Sequence, residues 1–419
     1  MALEDFAAEM DRCSSCSYCK WIPFDQIKSW RFAKNCPSIA YYNFNSYSAR
    51  GRYLVARSLH NEQSDYNNDT VRRVVYTCLT CGSCDVSCKV CRYNLEPLEM
   101  VRELKFSSVE DGQRLDEHLA IIESLRREGN TMGAARNGRG AWADGLNVKH
   151  LPAEKAEVLF HAGCRISYDL ELQKNARAAA KILLDAGVDL GIMGDHEMCC
   201  GGRIYNMGYR EEFDRLAQAN ITTWAKAGVK TVVASCSDGY HAFKRLYPKL
   251  GSEVEVLHTV EYLDRLIKAG KLKFRNEVPL TVTYHDPCHL GRQGEPFIPW
   301  DGVEKKIKSQ IVAYEPKKPR YNGAWGIYDP PRDILKSIPG VELVEMERIR
   351  EYSWCCGAGG GVREAYPEFS NWTANERITE AKATGAEALV TACPWCERNF
   401  LDAGGMKILD IIELVQQAL

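Results

Sequence analysis

Cysteine is the residue type through which this 419-residue chain asks for chemistry: it has eighteen, and nine lie in the first 91 residues. Cys78, Cys81, Cys84 and Cys88 form Cys-x-x-Cys-x-x-Cys-x-x-x-Cys. Cys13, Cys16 and Cys19 repeat its first three positions, and Cys36-Pro37 supplies the fourth, displaced by residues 20–35. Three thiolates at this spacing wrap one corner of a cubane 4Fe-4S cluster, and the fourth cysteine of such a run ligates the neighbouring cluster. That crossover predicts one set of Cys13, Cys16, Cys19 and Cys88 and another of Cys78, Cys81, Cys84 and Cys36. Cys91 is left over, and it competes with Cys88 because Lys89 stands where a proline usually follows the fourth cysteine. The plainer readings are structural zinc or free thiols. Zinc sites usually pair units of two cysteines, whereas these units come in threes.

The other nine cysteines fall into a repeat. His161-Ala-Gly-Cys164 pairs with His285-Asp-Pro-Cys288, and Cys199-Cys200-Gly201-Gly202 pairs with Cys355-Cys356-Gly357. Each double cysteine is followed by a helix, a strand and another cysteine, Cys236 in the first copy and Cys393 in the second. The second copy adds Cys396. Five thiolates exceed the needs of one tetrahedral zinc or one cubane, and adjacent cysteines suit separated irons. A vicinal disulfide at Cys355-Cys356 is the bland alternative, and it is strained. In the first copy Gly239 stands where Cys396 stands in the second. Cys164, Cys199, Cys200 and Cys236 leave two readings open, a further cluster or a remodelled site. Gly357, Gly359, Gly360 and Gly361 resemble a nucleotide loop only superficially, since no Lys-Ser or Lys-Thr follows. Backbone approach to a metal site explains them better. His161, His196, His285 and His289 are candidate donors to sulfur or iron, against the commoner role of buried structural histidine.

The elements that must position these residues can be read coarsely. Residues 1–150 read as mostly helical, with Leu98, Val101 and Leu104 at helical intervals between Glu96 and Leu125. Residues 126–155, rich in Gly, Asn and Arg, read as a linker. Beyond them, Val158–Phe160, Thr231–Ala234, Val254–Leu257, Thr281–Tyr284 and Ala388–Thr391 read as strands, and Leu172–Ala186, Tyr209–Ala227 and Ala374–Thr384 as helices. Alternating strands and helices predict parallel sheets. The predicted fold is therefore α+α/β: a helical double-cluster ferredoxin domain at 1–125, the linker, and two similar α/β domains at 156–275 and 276–419. The second copy holds an extra segment, residues 293–328, read as a surface loop or as a loop that contacts a partner.

The composition is that of an ordinary globular protein, with 45% apolar and 26% charged residues and a formal net charge of −2. A near-neutral balance gives no reason to expect nucleic acid. No apolar run is long enough to span a membrane, and Met1–Met10 does not read as a secretory signal. A cytoplasmic setting is expected, in which cysteines stay reduced and bind metal.

Two ferredoxin-type runs followed by two cysteine–Cys-Cys-Gly–cysteine repeats resemble the D-type subunit of heterodisulfide reductase. The layout is also similar to the iron–sulfur subunits of glycolate, lactate and glycerol-3-phosphate oxidising systems and of the class II benzoyl-CoA reductase complex. Tyr284–Arg292 and Tyr328–Arg332 carry the likeness as well. The resemblance implies a non-cubane 4Fe-4S cluster on Cys288, Cys355, Cys356, Cys393 and Cys396, beside the two cubanes. It also implies an oxidoreductase subunit that relays electrons with other redox subunits, a flavoprotein or a metal-containing reductase. Reduction of a disulfide by this chain itself is the alternative.

Overall fold

Short, nearly unbroken apolar runs such as Val158–His161 and Ala388–Thr391 are buried on both faces, which is what parallel strands covered by helices require. A computed structural model describes residues 2–91, 95–308 and 311–419. Two parallel sheets form its C-terminal part. The first contains β1 (Lys149–His150), β2 (Val158–His161), β3 (Leu190–Ile192), β4 (Thr231–Ala234) and β5 (Glu255–His258), in the order β1-β3-β2-β4-β5. The second contains β6 (Leu280–Tyr284), β9 (Val341–Leu343), β10 (Ala388–Thr391) and β11 (Lys407–Asp410), in the order β11-β10-β6-β9. Between β6 and β9 in sequence lies an antiparallel hairpin, β7 (Val303–Lys308) and β8 (Ile311–Glu315).

The two sheets have the same winding. β2, β3, β4 and β5 occupy the places that β6, β9, β10 and β11 occupy in the second sheet. The copies pack reciprocally. Helix Gln173–Asp185, after β2, lies against Ile411–Ala418, after β11; helix Thr259–Lys268, after β5, lies against Asp329–Ser337, which precedes β9. One apolar core runs through both, from Leu159 and Val232 to Val282, Val390 and Leu414.

The N-terminal part is helical, with its own core of Leu3, Phe6, Met10, Tyr53, Val75, Met100 and Leu104. Its central helix, Pro97–Glu110, is buried on nearly every side. Leu98, Val101 and Leu104 face apolar neighbours, while Arg102 and Lys105 carry charge into the contact with the first copy. The helical reading of Glu96–Leu125 divides in two, since residues 111–115 form a turn before helix Asp116–Glu128.

The segment read as a linker is corrected. Trp142, Ala143, Val148 and Leu151 bury their side chains in the main core, and Lys149–His150 adds an edge strand beside β3. Gly and Asn content hid four well-spaced apolar anchors. Residues 293–328 are likewise more than a loop. They carry the β7–β8 hairpin, with Ile298, Val303, Ile307 and Trp325 exposed, and a tail that packs back on the body. The side chain of Cys91 lies outside the described residues. Among the described residues, no helix is long and apolar enough to cross a membrane.

Candidate metal centres

The two N-terminal cysteine loops share a backbone device. Ser15 and Ser17 flank Cys16 at φ 59° and 68°, and Thr80 and Gly82 flank Cys81 at 49° and 77°. Left-handed backbone on both sides of the middle cysteine is unusual outside glycine. It curls each loop so that its thiols converge. Cys13, Cys16, Cys19 and Cys88 line one cavity with Tyr53, Leu95 and Pro97. Cys36, Cys78, Cys81 and Cys84 line another with Arg52, Leu79, Leu98 and Val101. Helix Ser83–Cys91 carries Cys84 and Cys88 one turn apart, yet they line different cavities. Cys36 enters from the N-cap of helix Pro37–Tyr42.

The chemistry of this lining can be tested. Neither cavity is lined by a carboxylate. Burial pushes the Cys36 thiol up to about 12 and raises Cys19, Cys84 and Cys88 as well. Buried thiolates form readily only when a cation meets them. A soft, all-sulfur, apolar donor set fits iron–sulfur chemistry and excludes a calcium or magnesium site.

In the second copy the thiols form one chain of contacts. Cys355 touches Cys288 and Cys356; Cys356 touches Cys396; Cys396 touches Cys393. His285, at the end of β6, offers a ligand atom within 4.8 Å of those of Cys356 and Cys396. Its Nδ1 accepts from Nε of Arg377 at 3.2 Å, which assigns the proton to Nε2, a buried atom with no hydrogen-bond partner among the described residues. Gly357 and Gly360 allow close approach: a Cβ would meet the carbonyl oxygens of Ser370 and Cys78 at 2.4 and 2.6 Å.

The first copy is built otherwise. Cys164 touches Cys199, and Cys199 touches Cys200. Cys236 leans away, its thiol against Cys393 of the second copy. Arg139, from the segment read as a linker, stands 3.5 Å from the Cys164 sulfur and donates to Glu197 at 2.8 and 3.0 Å. Glu197 also accepts from the backbone N–H groups of Ala162 and Gly163, bracing the turn that leads into Cys164. His161 is buried 3.6 Å from Glu197, and burial depresses it to about 4. His196 is exposed, away from the sulfurs.

The N-terminal part meets the second copy at sulfur. Cys81 and Cys355 are in side-chain contact. Lys105 donates to the carbonyls of Cys78, Asn206 and Gly360 at 2.8, 3.2 and 2.9 Å, so one ammonium joins all three cysteine-bearing parts. Sequence reasoning missed Lys105, Arg139, Glu197 and Arg377. Charged residues read as surface until the fold buries them. Arg139 also lies in a segment otherwise poor in pattern.

Known proteins are similar to this chain in its cysteine-bearing parts. The cysteine-rich domain family CCG matches residues 158–244 and 318–400, and the 4Fe-4S dicluster domain matches residues 9–91. The chain is 31% identical to the D-type subunit of the dihydromethanophenazine:CoB–CoM heterodisulfide reductase of Methanosarcina mazei, over 98% of this chain and 94% of that protein. It is 32% identical to the probable iron–sulfur-binding oxidoreductase FadF of Bacillus subtilis, and 27% identical to the EtfAB:quinone oxidoreductase of Syntrophomonas wolfei. It spans about half, 48%, of each of those two proteins. A hypothetical protein from Helicobacter pylori has a similar fold, with a TM-score of 0.51 at 10% identity, covering 88% of this chain and 67% of that one.

Proposed function

The chain belongs to the family of the heterodisulfide reductase D-type subunits, and from that premise we propose that it is the iron–sulfur electron-transfer component of a multi-subunit redox complex. The carrying observation is the succession of cysteine sets: two N-terminal cavities that share helix Ser83–Cys91, the contact of Cys81 with Cys355, and that of Cys393 with Cys236 at the junction of the two copies. Cys13, Cys16, Cys19 and Cys88 are one cubane set; Cys36, Cys78, Cys81 and Cys84 are the other. Cys288, Cys355, Cys356, Cys393 and Cys396 hold a non-cubane 4Fe-4S cluster in the second copy. Cys164, Cys199, Cys200 and Cys236 form the first-copy set, whose Gly239 stands in place of a fifth thiol. Bound there, the clusters supply one-electron chemistry. The chain supplies the rest. It buries the thiols, sets His285 beside Cys356 and Cys396, and locks the loops together through Lys105.

The domain division follows the same logic, with helical residues 1–125 and α/β copies at 156–275 and 276–419. A flavoprotein or metal-containing reductase is the expected partner in a cytoplasmic, anaerobic setting, because the sequence has no flavin or nicotinamide fingerprint of its own. Anaerobic purification with iron, sulfide and zinc analysis tests the reading. Iron and sulfide in matching amounts support it, and zinc without iron overturns it. One observation favours a second reading, reduction of a disulfide at the copy junction: Cys236 and Cys393 bring the two sets together. Thiol release from small heterodisulfides by the reduced, isolated chain would establish that reading instead.

A further inference from the structure

Arg292 lies four residues beyond Cys288 and is 5% exposed. Its Nε donates to the Cys81 carbonyl at 2.7 Å, Nη1 to that of Glu351 at 2.6 Å, and Nη2 to that of Ser353 at 2.6 Å. One guanidinium thus grips the loop around Cys81 and the loop that leads into Cys355. Its nearest groups of opposite charge, once ionised, are the thiols of Cys81, Cys288 and Cys355.

Among the described residues Arg292 makes no ion pair with a carboxylate. The other deeply buried arginines of the C-terminal copies do: Arg332 pairs with Asp286, Arg348 and Arg377 with Glu380, and Arg203 with Glu364. A buried cation without a counter-charge is costly. The acidic groups that favour its charge are the Cys81, Cys288 and Cys355 thiols and the Tyr328 phenol, and burial keeps that phenol neutral. The tail of residues 293–328 seals the place. Gly323, at φ 83°, packs so closely that a Cβ would fall 2.8 Å from that of Arg292. The Tyr328 ring covers Gly291. With water excluded, the charge acts through a low dielectric.

We propose that Arg292 is a positioning residue that ties together the redox potentials of the second N-terminal set and the second-copy set, holding both loops and standing as their shared counter-ion. A thiolate-bound cluster gains negative charge on reduction, so a fixed cation beside it raises the midpoint potential. The inference rests on the assignment of these cysteines as cluster ligands. It also gives the tail of the insertion a task, which is to keep water from Arg292.

The test is an anaerobic redox titration followed by EPR on the full chain, with Arg292→Met and Arg292→Lys beside wild type. Iron and sulfide counts are taken first. In Arg292→Met both centres at the Cys81–Cys355 junction shift to lower potential, and the Cys13 set does not move. Arg292→Lys keeps the charge and stays near wild type. Unshifted potentials in a fully loaded Met variant, a shift in one centre alone, or an equal shift in the Cys13 set overturns the proposal. If the Met variant loses its centres, the Lys variant decides: loaded and near wild-type potential supports the proposal, and loss there too reduces Arg292 to a scaffold and overturns it. A wild-type chain without iron and sulfide sinks the ligand assignment itself, an outcome distinct from unmoved potentials.

Discussion

The two copies share strand order and the same strand–cysteine turn, yet they settle charge in opposite ways. In the first, the guanidinium beside the sulfurs is Arg139, and Glu197 neutralises it within the protein. In the second, Arg292 donates to three carbonyls beside the sulfurs and, among the described residues, pairs with no carboxylate. The first copy contains its own counter-ion; the second leaves its positive charge to whatever the thiols hold. Their surroundings differ too. The second copy touches the N-terminal cysteine loops at Cys81 and Lys105, while the first copy's Cys199 packs beside the helices that follow them, against Val109, Ile121, Ile122 and Leu125. A repeated fold therefore sets where sulfur goes, and a few buried charges set what each copy does with it.

The harshest way to break this comparison is to remove a sulfur that has several neighbours. Cys356→Ser takes away the thiol that touches Cys355, Cys396 and His285. The expected outcome is loss of the second-copy centre, roughly four iron atoms per chain on the stoichiometry of a 4Fe-4S cluster. The N-terminal EPR signals remain, because their cavities share no residue with Cys356. Iron analysis with EPR checks this, and joint loss of every signal would show that the copies and the N-terminal part do not load separately.

Next in size is Arg139→Met. It strands Glu197, 5% exposed, beside buried sulfur and His161. Breaking a buried ion pair from one side costs about 3–5 kcal/mol. The loss is local. Hydrogen exchange should quicken at the amides of β2 and β4 and stay unchanged at β6 and β10. Equal quickening in both sheets would mean that the shared core, and not the ion pair, carries the effect.

This asymmetry marks what the sequence can express. Cysteine spacing alone groups Cys13, Cys16 and Cys19 with Cys88, and the structure gathers those four around one cavity. The apolar runs at Thr231–Ala234 and Ala388–Thr391 stand out as strands because burial on both faces leaves each a single threonine at one end. β3, β9 and β11 do not stand out. Two have three residues and the third four, and Leu190-Gly-Ile is too short to display a period. The reading of Val254–Leu257 starts one residue early because Val254 is apolar but lies outside the ladder. The burial and partners of Arg139 and Arg292 are hidden for a different reason. Nothing local distinguishes a buried arginine from a solvated one; only partners 58 and 211 residues away do.

A gentler probe uses pH. His118, on helix Asp116–Glu128, pairs its Nε2 with the Gly361 carbonyl at 3.0 Å, tying the N-terminal part to the glycine run of the second copy. Burial depresses its pKa from 6.5 to about 4. The folded state therefore favours the neutral ring. Its contribution is complete above pH 6.5 and is lost as pH falls toward 4, by about 3 kcal/mol at the limit. His118→Gln keeps a donor and removes the titration. Melting curves between about pH 7 and pH 4 should fall less steeply for the variant, and identical slopes would show that His118 does not report on this contact.

The smallest change in stability should accompany the most direct test of the comparison. Gly239 lies in the short helix Ser237–His241, and a Cβ there would find Phe243 at 3.6 Å, Cys200 at 3.9 Å and Ala234 at 4.0 Å. These are ordinary contacts, so Gly239→Cys should change stability by less than about 1 kcal/mol, with a small gain from the lost glycine entropy. The new thiol stands beside Cys200 as Cys396 stands beside Cys356. If the missing ligand is what separates the copies, EPR and iron counting should make the first-copy centre resemble the second. If the first copy keeps its own signature with five thiols present, the remaining difference is Arg139 and Glu197. Adding Glu197→Gln, which removes the internal counter-ion while keeping a side chain of the same shape, should then bring the two signals together. Two indistinguishable centres already present in the wild type would show that neither the fifth cysteine nor the ion pair matters, and the electron-relay reading would lose its argument against disulfide reduction at the copy junction.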